Sequence, residues 1–184
     1  NFREKHRIPT FAFVLLFVAH GFKRKGLPAI IKALEMLNNK DTHIVVAGSG
    51  NPKDIQINSP TVQNNTHFIG VVENMSELYP MADTLIHPTL GDTYGMVVLE
   101  AMSHKLPVIV SSAKHCGFSE HLDSNEAIIL NNPTDSQEIS IGIQTLTNQL
   151  ELRNKISENG FKKSQAINWK NTTNKTLNAY KKIL

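Results

Sequence analysis

The chain has 184 residues, 40% apolar and 19% charged, which suffices for one domain with its own core and argues against intrinsic disorder. Lys and Arg number 19 against 16 Asp and Glu, and this net charge of +3 is too mild to indicate nucleic-acid binding. A single cysteine, Cys116, excludes an internal disulfide framework and a zinc centre built on cysteines, and it fits a reducing compartment.

The chain opens on Asn1 rather than Met, so the sequence is expected to begin inside a longer protein. Phe11 to Ala19 is a continuous apolar run too short to span a bilayer, and it reads as a strand buried on both faces. Lys23, Arg24, Lys25 and Gly26 follow as a loop. Leu27, Ile30, Ile31, Leu34 and Leu37 then repeat with helical spacing until Asn38-Asn39 stops them. His43 to Ala47 is a second buried strand, closed by Gly48-Ser49-Gly50. Residues 51 to 65 are rich in Asn, Pro and Ser and read as loop with one weak helical turn.

Thr66 to Ile69 reads as a short strand, Ser76 to Met81 as a short helix, and Thr84 to His87 as a buried strand closed by Pro88. Thr93 to Ser103 is expected to be helical, with Met96, Leu99, Ala101 and Met102 on its apolar side. Pro107 to Val110 and Ala127 to Leu130 are the remaining strands. From Ser136 the pattern is helical, and Trp169, Leu177, Tyr180 and Leu184 mark a last helix over about 169–184, with Trp169 and Tyr180 as packing residues.

Strands alternating with helices and joined by Gly-rich loops predict an α/β fold, a Rossmann-like parallel sheet with helices on both faces. Ligands of such sheets sit at the carboxyl ends of the strands. That rule selects the loops from Ala19 to Gly26, Gly48 to Pro52, Pro88 to Gly95, and Ser111 to Phe118. The basic cluster lies in the first and suits a small anion. Asp92 lies in the third, just ahead of the expected helix start at Thr93, where free N–H groups favour an anion. Gly95 permits close approach of backbone to ligand. Glu100 stands on an otherwise apolar helix and needs partners, which two neighbouring sugar hydroxyls would supply.

Asp92-Thr-Tyr-Gly-Met-Val-Val-Leu-Glu100, followed by Ala101-Met102, resembles the signature of the retaining nucleotide-sugar glycosyltransferases of family 4, which have two Rossmann-like domains in the GT-B arrangement. Phe17 to Gly26 is similar to that family's phosphate loop, and Phe68 to Val72 with Leu78-Tyr79 and Ala82-Asp83 is similar to its base-binding stretch. Within the family, His20 to Gly26 and His87 to Leu122 look most like the subfamily that adds the first glucose to the heptose core of lipopolysaccharide.

The resemblance implies that residues 1–184 are the C-terminal, donor-binding half of a GT-B enzyme, with an N-terminal acceptor domain absent from this chain. It implies a hexosyltransferase using a UDP-sugar, UDP-glucose above all, with retention and without a metal or other cofactor. The acceptor would be a glycan or lipid-linked glycan. The location would be cytoplasmic, with peripheral inner-membrane association through the missing half. Lys25 and Arg24 would neutralise the diphosphate, although the family more often has an Arg where this chain has His20. Glu100 would bind the ribose hydroxyls, and Asp92, where most relatives have Glu, would contact the donor sugar. The amides of Thr93, Tyr94, Gly95 and Met96 would line the sugar and distal phosphate, and the backbone at Val72 would hold the uracil.

Plainer readings stand beside these. Lys23 to Lys25 taken alone is a solvated run, and its place between a buried strand and Gly26 favours ligand binding instead. Asp92 also suits a helix cap and Glu100 a salt bridge. Gly48-Ser49-Gly50 lacks the rest of a dinucleotide fingerprint and reads as a tight turn lining the site. His87 and His115 read as structural or rim residues, Glu120 as a brace for the site, and Cys116 lacks the partners of a nucleophile. A non-catalytic nucleotide-binding module and a nucleotide-sugar epimerase of similar fold remain as alternatives.

Overall fold

The computed structural model describes residues 2–182, except the side chain of Trp169. Six strands form one parallel sheet: β1 Phe13–Val18, β2 Thr42–Ala47, β3 Thr66–Gly70, β4 Thr84–His87, β5 Val108–Ser111 and β6 Ile128–Leu130. Their spatial order is β3-β2-β1-β4-β5-β6. The order reverses between β1 and β4, where Leu15 pairs with Thr84. Connections leaving adjacent strands at such a reversal lead to helices on opposite faces of the sheet and leave a crevice at the strand ends.

The expected strands are present because their residues are apolar on both faces. Phe13, Leu15 and Phe17 of β1 face a layer that holds α2, Leu27–Leu37, and α5, Ser136–Asn148. Val14 and Leu16 face the opposite layer, which holds Val98, Ala101 and Met102 of α4, Met96–Ser103. Each such fully buried side chain contributes about 1.5–3 kcal/mol over an exposed one. Helix α6, Leu150–Ala166, packs on α4, with Gly160 close to the Met102 side chain. Asn38 ends α2 as expected, in the left-handed conformation with its N–H on the Leu34 carbonyl oxygen at 3.0 Å.

Four expectations need correction. Residues 51–65 hold a 3-10 turn, Pro52–Asp54, and a short helix α3, Pro60–Asn64, capped by Ser59. The segment from Ser76 to Met81 is two 3-10 turns, Met75–Glu77 and Tyr79–Met81, because Pro80 has no N–H to continue an α-helix. Helix α4 starts at Met96 rather than Thr93. The last helix, α7, is Trp169–Lys181, and residues 170–182 are exposed throughout. Tyr180 is 62% exposed and does not pack; apolar spacing shows a face that can be buried, not one that is. Leu184 and the Trp169 side chain lie outside the described residues. A short helix not foreseen in the sequence, α1 Phe2–Lys5, precedes the sheet, and Arg3 bonds Asp83 at 2.9 Å. Among the described residues no helix is long and apolar enough to cross a membrane.

Candidate functional site

The crevice at the β1/β4 reversal is built by contact between two loops. Gly26 has φ +89°, and a Cβ there would lie 2.0 Å from the Pro88 carbonyl oxygen, so only glycine lets the loops after β1 and β4 touch. The Arg24 carbonyl oxygen accepts from Leu90 N at 3.0 Å. Arg24 Nη1 and Lys25 Nζ both donate to the Gly91 carbonyl oxygen, at 3.1 and 3.3 Å. The basic cluster thus pins the loop that carries Asp92.

Asp92 is engaged on both oxygens. Oδ2 meets Lys25 Nζ at 2.5 Å and His87 Nε2 at 3.1 Å, and Oδ1 accepts from Tyr94 N at 3.3 Å. The His87 hydrogen bond and then the Lys25 ammonium, acting against burial, hold the Asp92 carboxyl well below the usual carboxylate range. Lys25 is 8% exposed and His87 1%, so this group sits at the inner end of the crevice. Asp92 does not cap α4. Gly95 stands at the N-cap, with φ 90°, and no side chain caps the helix.

Thr93 to Gly95 form a loop held from outside. Gly117 N donates to the Asp92 carbonyl oxygen at 3.2 Å and Phe118 N to that of Tyr94 at 2.7 Å. A Cβ on Gly95 would lie 2.5 Å from Cys116 Sγ. Cys116 is buried, its Sγ approaches the Tyr94 carbonyl oxygen at 3.4 Å, and burial pushes its thiol up, which suits packing and not nucleophilic attack. The later helix start leaves the Met96 and Val97 N–H groups without intrahelical acceptors at the cavity wall. The Met96 side chain is 53% exposed rather than packed on the core.

Glu100 departs from expectation in a different way. It is exposed, because α4 turns this side toward the crevice instead of the core. Its Oε2 accepts from the Tyr79 hydroxyl at 2.6 Å. Tyr79 is 2% exposed and stacks on His104 at 5.0 Å between ring centres. Burial, followed by the hydrogen bond to Glu100, pushes the Tyr79 phenol far up, so it is a fixed donor. Nothing in the local sequence announced this pair.

A cavity of about 650 Å³ unites these groups. Arg24, Lys25, Val72, Asp92, Thr93, Tyr94, Gly95, Met96 and Glu100, the site residues expected from sequence, all line it. His20, Gly48 and His87 line it as well. The Gly48–Gly50 turn forms part of the wall, as expected, and His20 Nδ1 lies 2.6 Å from Ser49 Oγ. His87 proves structural in the sense that it supports Asp92. His115 Nδ1 lies 3.2 Å from the Leu90 carbonyl oxygen. Glu120 is exposed and is not part of the cavity lining, so it braces nothing there. Among the described residues no cluster of His, Cys, Asp and Glu could hold a metal ion.

Comparison with known proteins gives a family and a fold. The family profile for glycosyl transferases group 1 matches residues 1–163. The lipopolysaccharide glucosyltransferase WaaG of Escherichia coli K12 is 29% identical over 164 residues, 86% of this chain and 43% of that protein. The glycosyltransferase MJ1607 of Methanocaldococcus jannaschii is 28% identical over 188 residues, 98% of this chain and 48% of that protein. The crystal structure of WaaG superposes with a TM-score of 0.78 at 28% identity, covering 91% of this chain and 46% of that one. Anabaena HepE, solved in complex with UDP-glucose, has a TM-score of 0.84 at 21% identity, covering 97% and 51%. The chain therefore spans about half the length of the relatives it matches.

Proposed function

The chain belongs to the glycosyl transferases group 1 family, and from that premise we propose that it is the donor-binding, C-terminal half of a glycosyltransferase and takes a uridine diphosphate sugar. The observation that carries this reading is the convergence of Arg24, Lys25, Asp92 and Glu100 on one cavity at the β1/β4 reversal. A cavity lined by cations, helix amides and an exposed carboxylate suits a ligand with phosphates at one end and hydroxyls at the other. The UDP-glucose complex of the structurally similar HepE supports the donor class.

In this reading Arg24 and Lys25, with the Met96 and Val97 amides, receive the diphosphate. Glu100 accepts hydrogen bonds from the ribose hydroxyls while Tyr79 holds its Oε2. The backbone at Val72 takes the uracil. Asp92 contacts the sugar and keeps Lys25 in place. In transfer, the bond from the anomeric carbon to the diphosphate oxygen breaks and the diphosphate leaves with the electron pair. The acceptor oxygen bonds the same face of the carbon and passes its proton to the departing diphosphate oxygen, which retains the configuration at the carbon and balances the step. Positive charge and helix amides stabilise the leaving group and lower the barrier. Glucose as the sugar, and a lipopolysaccharide glycan as acceptor, are supported by the similarity to WaaG.

Calorimetric titration with UDP, GDP and ADP tests the reading. UDP is expected to bind most tightly. Equal or tighter binding of ADP would remove the uridine assignment, and no binding of any of the three would remove the donor-site assignment.

A further inference from the structure

The fixed charges of the cavity cancel. Arg24 and Lys25 face Asp92 and Glu100, and the Lys25 ammonium is already engaged by Asp92 at 2.5 Å. Arg24 donates to a neutral carbonyl, that of Gly91. A nucleoside diphosphate is a multiply charged anion, and placing it here leaves uncompensated negative charge in a partly desolvated site. Another cation stabilises the complex.

The titratable groups on the walls are His20, Arg24, Lys25, His87, Asp92, Tyr94 and Glu100. Among these residue types, histidine is the one whose charge can change near neutral pH. His87 is 1% exposed with Nε2 committed to Asp92 and Nδ1 buried. His20 is exposed, and Ser49 is its hydrogen-bond partner among the described residues. Gly48 brings that partner within reach. Its φ is +126°, and a Cβ there would lie 1.8 Å from the Ala19 carbonyl oxygen, so only glycine lets the 48–50 turn press against the end of β1. With Nδ1 held by Ser49 Oγ, Nε2 is the ring nitrogen left for a ligand.

We infer that His20, oriented by Ser49, binds the nucleotide diphosphate as an imidazolium and takes up a proton as the nucleotide enters. The inference rests on the donor-binding reading. The proton comes from solvent; in the complex Nδ1–H donates to Ser49 Oγ and Nε2–H to a phosphate oxygen. Because the complex favours the protonated form, affinity for UDP falls as pH rises through neutrality, while affinity for uridine does not.

The test is calorimetry with UDP and uridine at about pH 6 and about pH 8, in buffers of differing ionisation enthalpy, so that proton uptake is counted. For the unmodified chain, UDP affinity is expected to be up to about tenfold weaker per pH unit, with proton uptake beyond that of the nucleotide's own phosphate. His20→Gln should lose that excess uptake and bind UDP more weakly at the lower pH, with uridine unchanged. His20→Arg should keep UDP affinity and lose the excess proton uptake, which also guards against a folding defect in the Gln variant. Equal proton uptake in the unmodified chain and His20→Gln would overturn the inference and leave the donor site standing. Failure of UDP to bind the unmodified chain at either pH would overturn the donor reading itself.

Discussion

Glu100 offers two carboxylate oxygens, and the Tyr79 hydroxyl takes Oε2 at 2.6 Å. That fixes the carboxylate at the cavity wall without using its other oxygen. Tyr79→Phe keeps the buried ring and removes the bond, which contributes about 0.5–1.5 kcal/mol. Uridine and UDP should then bind about two- to tenfold more weakly, and by the same factor. A loss seen with UDP alone would mean that Glu100 does not serve the ribose. Asp92 gives a pH-dependent expectation. Its carboxyl is held down by His87 and Lys25 in the folded chain, so its stabilising effect is complete above the unfolded value of about 3.9 and is lost as pH falls below it. Asp92→Asn lacks this contribution and leaves Lys25 without its counter-charge. The gap in melting temperature between the unmodified chain and the variant should be widest near pH 5 and narrow toward about pH 2; a gap independent of pH would exclude an ionised Asp92 as the cause. Both acids were legible in the sequence, through the spacing from Asp92 to Glu100. Their partners were not, since Tyr79 lies 21 residues from Glu100 and Lys25 lies 67 from Asp92, distances at which no local pattern speaks.

At the scale of elements, the strands were legible because a strand buried on both faces is a continuous apolar run, as Phe13 to Val18 is. Helix α4 was misread at its start and on one face. Gly117 and Phe118 draw Asp92 and Tyr94 out of helical geometry through bonds from more than twenty residues away. Met96 then lines the cavity, and a cavity wall carries the same apolar periodicity as a core. Two glycines separate conformation from contact. Gly21 has φ +77° and nothing within 4 Å of a Cβ, whereas Gly26 has φ +89° and the Pro88 carbonyl oxygen 2.0 Å away. Gly21→Ala should cost about 1–2 kcal/mol, the cost of a left-handed non-glycine residue. Gly26→Ala should cost more by urea denaturation, since the contact between the two site loops is also forced open, and should weaken UDP binding. Equal destabilisation by the two substitutions would show that the loop contact does not set the site's geometry.

At the scale of the molecule, sheet order decides where chemistry can occur. The reversal between β1 and β4 opens one crevice, and the cationic loop and the Asp92–Glu100 segment both reach it because each follows one of those two strands. The residues expected to bind the donor, from Arg24 to Glu100, stand on this wall, and on the proposed reading each faces a nucleotide sugar. None of these roles is to hold an acceptor. Transfer needs the acceptor oxygen positioned against the anomeric carbon, and such positioning is worth effective molarities of about 10⁵–10⁸ M, or about 7–11 kcal/mol of barrier. The chain spans about half the length of its relatives, and on the proposed reading its cavity holds the donor and lacks that contribution. Residues 1–184 alone should therefore bind UDP and UDP-glucose in a calorimeter and yet release no UDP in a coupled assay when UDP-glucose and a lipopolysaccharide core glycan are supplied together. The same assay on a protein that joins this chain to an acceptor-binding domain should give turnover, and Lys25→Ala in that protein should reduce it. A charge-assisted bond to phosphate contributes about 1.5–3 kcal/mol, so the loss should be about ten- to a hundredfold. Sustained sugar transfer by residues 1–184 without any partner would refute the division of labour, because acceptor positioning would then have to reside on this sheet.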